Sequence, residues 1–413
     1  MMMFLPENEE KLLHFIQTHY GTEVFTPGLK RTRELYSPFI EHFKNLGTKI
    51  TIIAGTNGKG QTAHTLAHYL QMSGQRFALW TSPHILSLRE RFAFNEGDIS
   101  YQELEREIRA THNFLKTNHP SLLVSFYEFL FLVFLRLSQG RSKGIHHLIL
   151  EVGLGGRLDA VNHFDADCAC ITSISRDHQA ILGNRYDLIL KEKLAVARAH
   201  KPLFTSFPLD YLNHLTQEYC EVKQVSWRPL PKNIRHEQED YFQENQKMAQ
   251  ALFFELMGSE QKLPTEEVPT FKGRREEMTF KGNTLIFIGA HNIDGVRRMT
   301  ELFLSTPKEL WPTRVLMSFS KRPEKEVEVM LKSLVDFFGK KTKMDLTSFE
   351  HPKAQDLKEL REVEKKINEF SKGLLDFVTD WKIDLNHTNN QKILVCGSYY
   401  FIGEVQRFIH SHS

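Results

Sequence analysis

Residues 50–62 read Ile-Thr-Ile-Ile-Ala-Gly-Thr-Asn-Gly-Lys-Gly-Gln-Thr. The apolar run Ile50 to Ala54 is short and β-branched and ends at a glycine, which predicts a buried strand. Thr62 to Met72 has helical apolar spacing and stops near Gly74, which predicts a helix. Between them, Gly55-Thr56-Asn57-Gly58-Lys59-Gly60 joins strand to helix. Glycines let backbone N–H groups turn toward an anion, the helix start adds the positive end of its dipole, and Lys59 adds a full charge. The layout predicts a phosphate cradle, with Gln61 and Thr62 next to it as further polar contacts. Its spacing departs from the common G-x-x-x-x-G-K-[ST]. Ile53 stands where the first glycine would be, and Gly55 lies three residues before Gly58. A turn that merely needs glycines is the plainer alternative.

Outward from this loop, Phe77 to Trp80, His147 to Val152, Cys168 to Ile174 and Pro202 to Ser206 read as further strands. Tyr101 to Leu115, Phe126 to Leu137 and Leu188 to Ala199 read as helices between them. Strands alternating with helices imply an α/β fold with a mostly parallel sheet covered on both faces. Residues 207–240 are polar and carry Pro208, Pro229 and Pro231; Asn245 to Met257 reads as one more helix. Gly258 to Thr270, with Pro264 and Pro269 among acidic residues, reads as an interdomain linker. The alternation then resumes, with strands at Thr284 to Ile288, Arg314 to Phe319 and Lys392 to Cys396. Helices are expected at Asp294 to Leu304, Glu324 to Phe338 and Ala354 to Phe370, the last so rich in mixed charge that it reads as a solvated face.

Bulk properties remove several classes. A chain of 413 residues has room for two or three domains, and 41% hydrophobic with 25% charged residues is ordinary for a soluble globular protein. A net charge of +2 provides no global field for nucleic acid. Cys168, Cys170, Cys220 and Cys396 form neither a disulfide framework nor a zinc spacing, so a reducing, cytoplasmic setting is expected. The N-terminal methionines and Phe4 are followed by Glu7, Glu9 and Glu10, which lacks the basic start of a signal peptide. Phe126 to Leu137 is too short and, with Glu128 and Arg136, too charged to span a bilayer, and it reads as a buried core helix.

GTNGKG resembles the nucleotide loop of the Mur ligase superfamily, and within it the chain is most similar to the folylpolyglutamate synthase and dihydrofolate synthase family. Further blocks agree in order: TSPH at 81–84, EVGLGGRLDAVN at 151–162 and ITSISRDH at 171–178. Glu192-Lys193 resembles the family's EKAG segment, Asn245 sits where it carries a helical Asn, and Gly273-Arg274 matches its GR pair. Gly289-Ala290-His291-Asn292 resembles DGAHNP, and GSYYFIGE at 397–404 resembles GSLYLVGE. The likeness covers about residues 45 to 405.

The resemblance implies an ATP-binding domain over 1–257, a linker at 258–270, and a smaller, Rossmann-like C-terminal α/β domain over 271–413 that serves glutamate ligation. The implied reaction is ATP-dependent: a carboxylate takes the γ-phosphoryl group to give an acyl phosphate and ADP, and the amine of L-glutamate displaces phosphate. The carboxylate would belong to dihydropteroate or a reduced folate, and the family expectation is a monomer acting on small molecules, without nucleic acid or membrane. Thr56, Asn57, Gly58, Lys59, Gly60, Gln61, Thr62, Asn245 and Arg274 would contact ATP, and the fork of Arg274 suits phosphate oxygens. Ser82, Glu151 and His178 would hold Mg2+, with room for a second ion. A hydroxyl and a carboxylate suit a hard cation, whereas for His178 only the resemblance speaks. Lys193 matches a lysine carbamylated by carbon dioxide; read alone, it is an ordinary helical lysine beside Glu192. Lys59, Lys193 and His291 are the implied catalytic residues, with His291 near the glutamate and the γ-phosphate. Ser125, Phe126, Tyr127, Glu128 and Ser398 are the implied substrate contacts. The first four are equally ordinary chemistry for a helix core.

Three departures stand out. Gln61 replaces the family's serine, Ile288 replaces the aspartate before Gly-Ala-His-Asn, and Ile293 replaces the following proline. The alternatives to a folate-type ligase are an amide ligase acting on another carboxylate, which Ile288 favours, and a non-catalytic nucleotide-binding relative.

Overall fold

The computed structural model describes residues 6–23, 29–141, 144–231 and 241–412. The opening methionines and Phe4, and residues 232–240 of the polar stretch, lie outside the described residues. The chain divides into two compact units, one drawn from 1–234 and 244–268, the other from 235–243 and 269–413.

In the first unit the elements run α1 (Pro6–Tyr20), α2 (Leu29–Asn45), β1 (Lys49–Ala54), α3 (Lys59–Met72), β2 (Phe77–Trp80), β3 (Phe92–Phe94), β4 (Gly97–Asp98), α4 (Tyr101–Asn118) and α5 (Phe126–Gly140). They continue with β5 (His147–Glu151), β6 (Cys168–Ile171), α6 (Gln179–Leu182), α7 (Tyr186–Leu194), β7 (Pro202–Thr205), α8 (Asp210–Lys223), β8 (Ser226–Pro229) and α9 (Tyr241–Met257). The strands form one sheet in the order β4-β3-β2-β5-β1-β6-β7-β8, parallel except for the β3–β4 edge. β1 lies between β5 and β6, with Ile53 opposite Glu151 on one side and Ala54 opposite Ile171 on the other. Its residues are buried from Ile50 onward. This register brings the carboxyl ends of three central strands together, which is where open α/β sheets bind ligands. One face carries α5, whose apolar residues Phe129 to Leu135 are fully buried against Trp80 and Phe164. The other carries α3 and α9.

In the second unit the elements run β9 (Arg274–Phe280), β10 (Asn283–Ile288), α10 (Ile293–Leu304), β11 (Arg314–Ser318), α11 (Glu324–Phe338), β12 (Lys343–Thr347), α12 (Leu357–Ser371), β13 (Leu375–Val378), α13 (Trp381–His387), β14 (Lys392–Gly397) and α14 (Tyr399–His412). The sheet order is β13-β12-β11-β14-β10-β9, with β9 the antiparallel edge. Both units are thus α/β layers around mostly parallel sheets.

Several boundaries differ from the sequence reading. The strand expected over Cys168 to Ile174 ends at Ile171, because Thr172 and Ser173 leave the ladder to bond the phosphate loop. The helix expected over Leu188 to Ala199 begins at Tyr186 and ends at Leu194. The one expected from Ala354 begins at Leu357, after Asp356 caps its first amides. The polar stretch after Ser206 contains α8 and β8, whose exposed residues hide the periodicity. Residues 258–267 carry no helix or strand. The four cysteines are buried and free. Among the described residues, no helix is long and apolar enough to cross a membrane.

Candidate active site

The loop from Gly55 to Gly60 leaves β1 and enters α3 through Gly58, whose backbone is left-handed (φ 89°). Two glycines here are steric requirements. A Cβ on Gly55 would lie 1.9 Å from Thr172 Oγ1, and one on Gly58 would lie 2.3 Å from Asn245 Oδ1. The loop is gripped from β6. Thr56 N donates to the Ser173 carbonyl and Asn57 N to Ser173 Oγ, both at 2.9 Å, while Thr172 Oγ1 donates to the Asn57 carbonyl at 2.6 Å. Thr56 Oγ1 and the backbone of Ser175 bond each other. These hydroxyls were legible only as a polar run after an apolar strand, and the sequence reading gave them no role.

The first turn of α3 presents amides that have no intrahelical acceptor. Among the described residues the Lys59 amine bonds only its own loop, through the Thr56 carbonyl at 3.1 Å. The hydroxyl of Thr62 is buried without a hydrogen-bond partner among the described residues, an open donor beside the cradle. Gln61 is buried, and its carbonyl accepts from Asn245 Nδ2 at 2.7 Å. The expected nucleotide residues Gln61 and Asn245 therefore hold each other, and the serine replaced by Gln61 could not span that gap.

Glu151 ends β5, 2% exposed, and its Oε2 accepts from Ser82 N at 3.1 Å. Two of the three expected metal ligands are thereby joined. His178 lies beyond β6 in the left-handed conformation, its amide bonded to Asp177. Among the described residues no group of three His, Cys, Asp or Glu side chains is arranged to hold a metal. The buried carboxylate of Glu151 is hard-cation chemistry, and Ser82, whose amide it holds, carries the expected hydroxyl.

Lys193, on α7, is 3% exposed and donates to the Gly55 carbonyl at 2.9 Å. Burial pushes its ammonium down to about 7; Lys59 adds to that, and Asp177 opposes it. Asp159 fixes the turn after Glu151, accepting from Gly153 N at 2.9 Å, Leu154 N at 3.1 Å, Val161 N at 3.0 Å and the Tyr127 hydroxyl at 3.1 Å. Burial raises its carboxyl to about 6 despite those bonds.

The expected substrate segment has structural tasks. Ser125 and Glu128 form the capping box of α5, and Arg31 bonds both oxygens of Glu128 at 2.8 Å. Phe126 is in the core. Tyr127 receives Trp80 Nε1 at 3.1 Å and Gly153 N at 3.2 Å.

In the second unit, Arg274 opens β9, His291 follows β10, and Ser398 follows β14. Ser398 Oγ is 2.7 Å from Ser320 Oγ. Ile288 is buried in the core of that unit and lies across the ladder from Arg274.

A scan against protein-family models finds no match. The dihydrofolate synthase/folylpolyglutamate synthase of Buchnera aphidicola subsp. Baizongia pistaciae is 28% identical over 396 residues, covering 87% of this chain and 86% of that protein. Over most of its length the chain is similar to dihydrofolate synthase/folylpolyglutamate synthases. Solved structures of this family share the fold. FolC of E. coli in complex with DHPP and ADP superposes with a TM-score of 0.78 at 21% identity, covering 100% of both chains. A bifunctional family member with Mn, AMPPNP and L-glutamate bound gives 0.75 at 22% identity, over 96% of this chain and 97% of that one.

Proposed function

We propose that the chain is an ATP-dependent ligase, acting as a cytoplasmic monomer, that joins L-glutamate to the carboxylate of a pteroate or reduced folate. The observation that carries the reading is the tie between Lys193 and Gly55. It puts a second amine, held near neutrality, against a phosphate loop that already has Lys59. A nucleotide loop alone would need only Lys59. A ligase must gather several anions at once; Lys59 meets them as a cation, and a Lys193 amine poised to become a carbamate would bring a second cation to them.

In the proposed reaction a carboxylate oxygen attacks the γ-phosphorus, the bond to the β,γ-bridging oxygen breaks, and ADP leaves. The glutamate amine then attacks the acyl carbon, the carbon–oxygen bond to phosphate breaks, and the amine gives up a proton. Thr56, Asn57, Gly58, Gly60 and Thr62 cradle the phosphates with Lys59. Asn245 and Gln61 hold the wall behind them, and Arg274 binds nucleotide. Ser82, Glu151 and His178 would hold Mg2+, which neutralises the phosphates when bound. Lys193, carbamylated, would serve a second ion. His291 and Ser398 serve the glutamate side, and Ser125 to Glu128 the pterin side. The related protein that binds Mn, AMPPNP and L-glutamate, and the one that binds DHPP and ADP, support this assignment.

Ile288 favours a second reading, the same chemistry on another carboxylate. The test is ADP release with ATP, Mg2+ and L-glutamate, offered dihydropteroate or tetrahydrofolate, before and after chelation of the metal. Glutamate-dependent release with either acceptor supports the proposal. ATP binding with no such release from either would sink it.

A further inference from the structure

We propose that Tyr399 is a positioning residue, the group that holds Arg274 and His291 in place at the end of the second unit's sheet. The inference rests on the ligase reading for what those two residues do, and on geometry for the rest. The Tyr399 ring is wedged against the backbone where β10 ends: a Cβ on Gly289 would lie 2.0 Å from its Cε1. The His291 ring lies 5.2 Å away, tilted by 48°. The Arg274 guanidinium lies over the same ring at 5.9 Å, within reach of a cation–π attraction.

The backbone explains why an aromatic ring is needed. The β9–β10 ladder slips between Phe287 and Ile288, so Ile288 faces Arg274, and Arg275 takes a left-handed conformation at φ 61°. Such a bulge re-aims the neighbouring side chain. Directly opposed residues share one face of the ladder, so a carboxylate at 288 would stand beside the guanidinium. Ile288 offers none, and among the described residues the guanidinium makes one long hydrogen bond, of 3.3 Å to the Lys272 carbonyl. The electron-rich face of Tyr399 thus supplies the attraction to Arg274 that Ile288 cannot.

The test is a double-mutant cycle on the full chain, read by calorimetric binding of AMPPNP with Mg2+, and by melting temperature. Tyr399→Leu should weaken AMPPNP binding about tenfold in the wild-type background but less than about twofold in the Arg274→Met background. Tyr399→Phe, which keeps the ring, should bind as wild type does. Equal weakening in both backgrounds overturns the inference, as does an undamaged Tyr399→Leu or a Tyr399→Phe as damaged as it. Coupling in melting temperature without coupling in affinity also overturns it, because Tyr399 would then only fill space. Wild type that binds AMPPNP but releases no glutamate-dependent ADP defeats the proposed function while the cycle still decides the role of Tyr399. Wild type that fails to bind AMPPNP defeats both.

Discussion

The amine of Lys193 donates to the carbonyl of Gly55 across 2.9 Å, so a residue of α7 is tied to the first glycine of the phosphate loop. Burial, with Lys59 nearby, pushes that amine down to about 7. About half of it is neutral at pH 7, against roughly one part in three thousand for an ordinary lysine. Only the neutral amine can add carbon dioxide. Labelling with 13C-bicarbonate should give a carbamate resonance that is absent from Lys193→Met, and both the resonance and the ligase rate should fall as pH drops through about 7. Between there and the ordinary lysine value, the unfolded chain binds the extra proton. Lys193 therefore contributes stability that is complete above the ordinary value and lost as pH falls toward 7. A carbamate signal surviving in Lys193→Met would refute the assignment.

Gly58 and Lys59 should separate architecture from chemistry. Among the described residues the Lys59 amine hydrogen-bonds the Thr56 carbonyl alone, so Lys59→Ala should melt like wild type and lose nearly all ADP release. Gly58→Ala places a methyl group 2.3 Å from Asn245 Oδ1 at φ 89°. It should cost about 1–3 kcal/mol in urea unfolding, as well as nucleotide binding. A Lys59→Ala enzyme working at a near-normal rate would remove the loop from the active site.

The expected loop sequence and the strand before it were legible because both signals are local: a β-branched run, then glycines at fixed offsets. The central helices α5 and α11 were equally clear, since α5 is apolar over three turns and α11 keeps one apolar face at helical spacing along its length. What failed was non-local. β12 and β13 are short strands whose burial depends on neighbours distant in sequence, and α8 buries only Leu212, Thr216 and Cys220. The roles of Thr172 and Ser173 follow from β6 lying beside β1, which no spacing reveals. The Gln61 departure gained its reason only when α9 placed Asn245 against it.

Asp159 should show its burial in a pH titration of stability. Its carboxyl is raised to about 6, so between the ordinary aspartate value and that pH the folded chain holds the extra proton. Its contribution is present below the ordinary value and lost as pH rises through about 6. Asp159→Asn removes this slope and turns a donor either toward Gly153 N and Leu154 N, which share Oδ2, or toward Val161 N and the Tyr127 hydroxyl, which share Oδ1, at about 1–3 kcal/mol. Urea unfolding of both proteins should show a gap that narrows from acid toward pH 6. A gap independent of pH would mean that Asp159 titrates normally.

Gln61 and Asn245 make the last prediction. Both are buried, and their amides meet at 2.7 Å, so truncating either removes a buried hydrogen bond. Gln61→Ala and Asn245→Ala should each cost about 1–3 kcal/mol, and the double variant less than the sum of the two. Gln61→Ser, which restores the residue of the resembling loops, should not rescue stability, because a serine hydroxyl stops short of the Asn245 amide. If the bond merely fills the wall of the site, nucleotide affinity will follow stability. If it aims Asn245 at the base of the nucleotide, Gln61→Ala will lose affinity for AMPPNP while keeping affinity for pyrophosphate, which has no base to recognise. Calorimetry with the two ligands decides between them, and equal losses for both would leave Gln61 a packing residue.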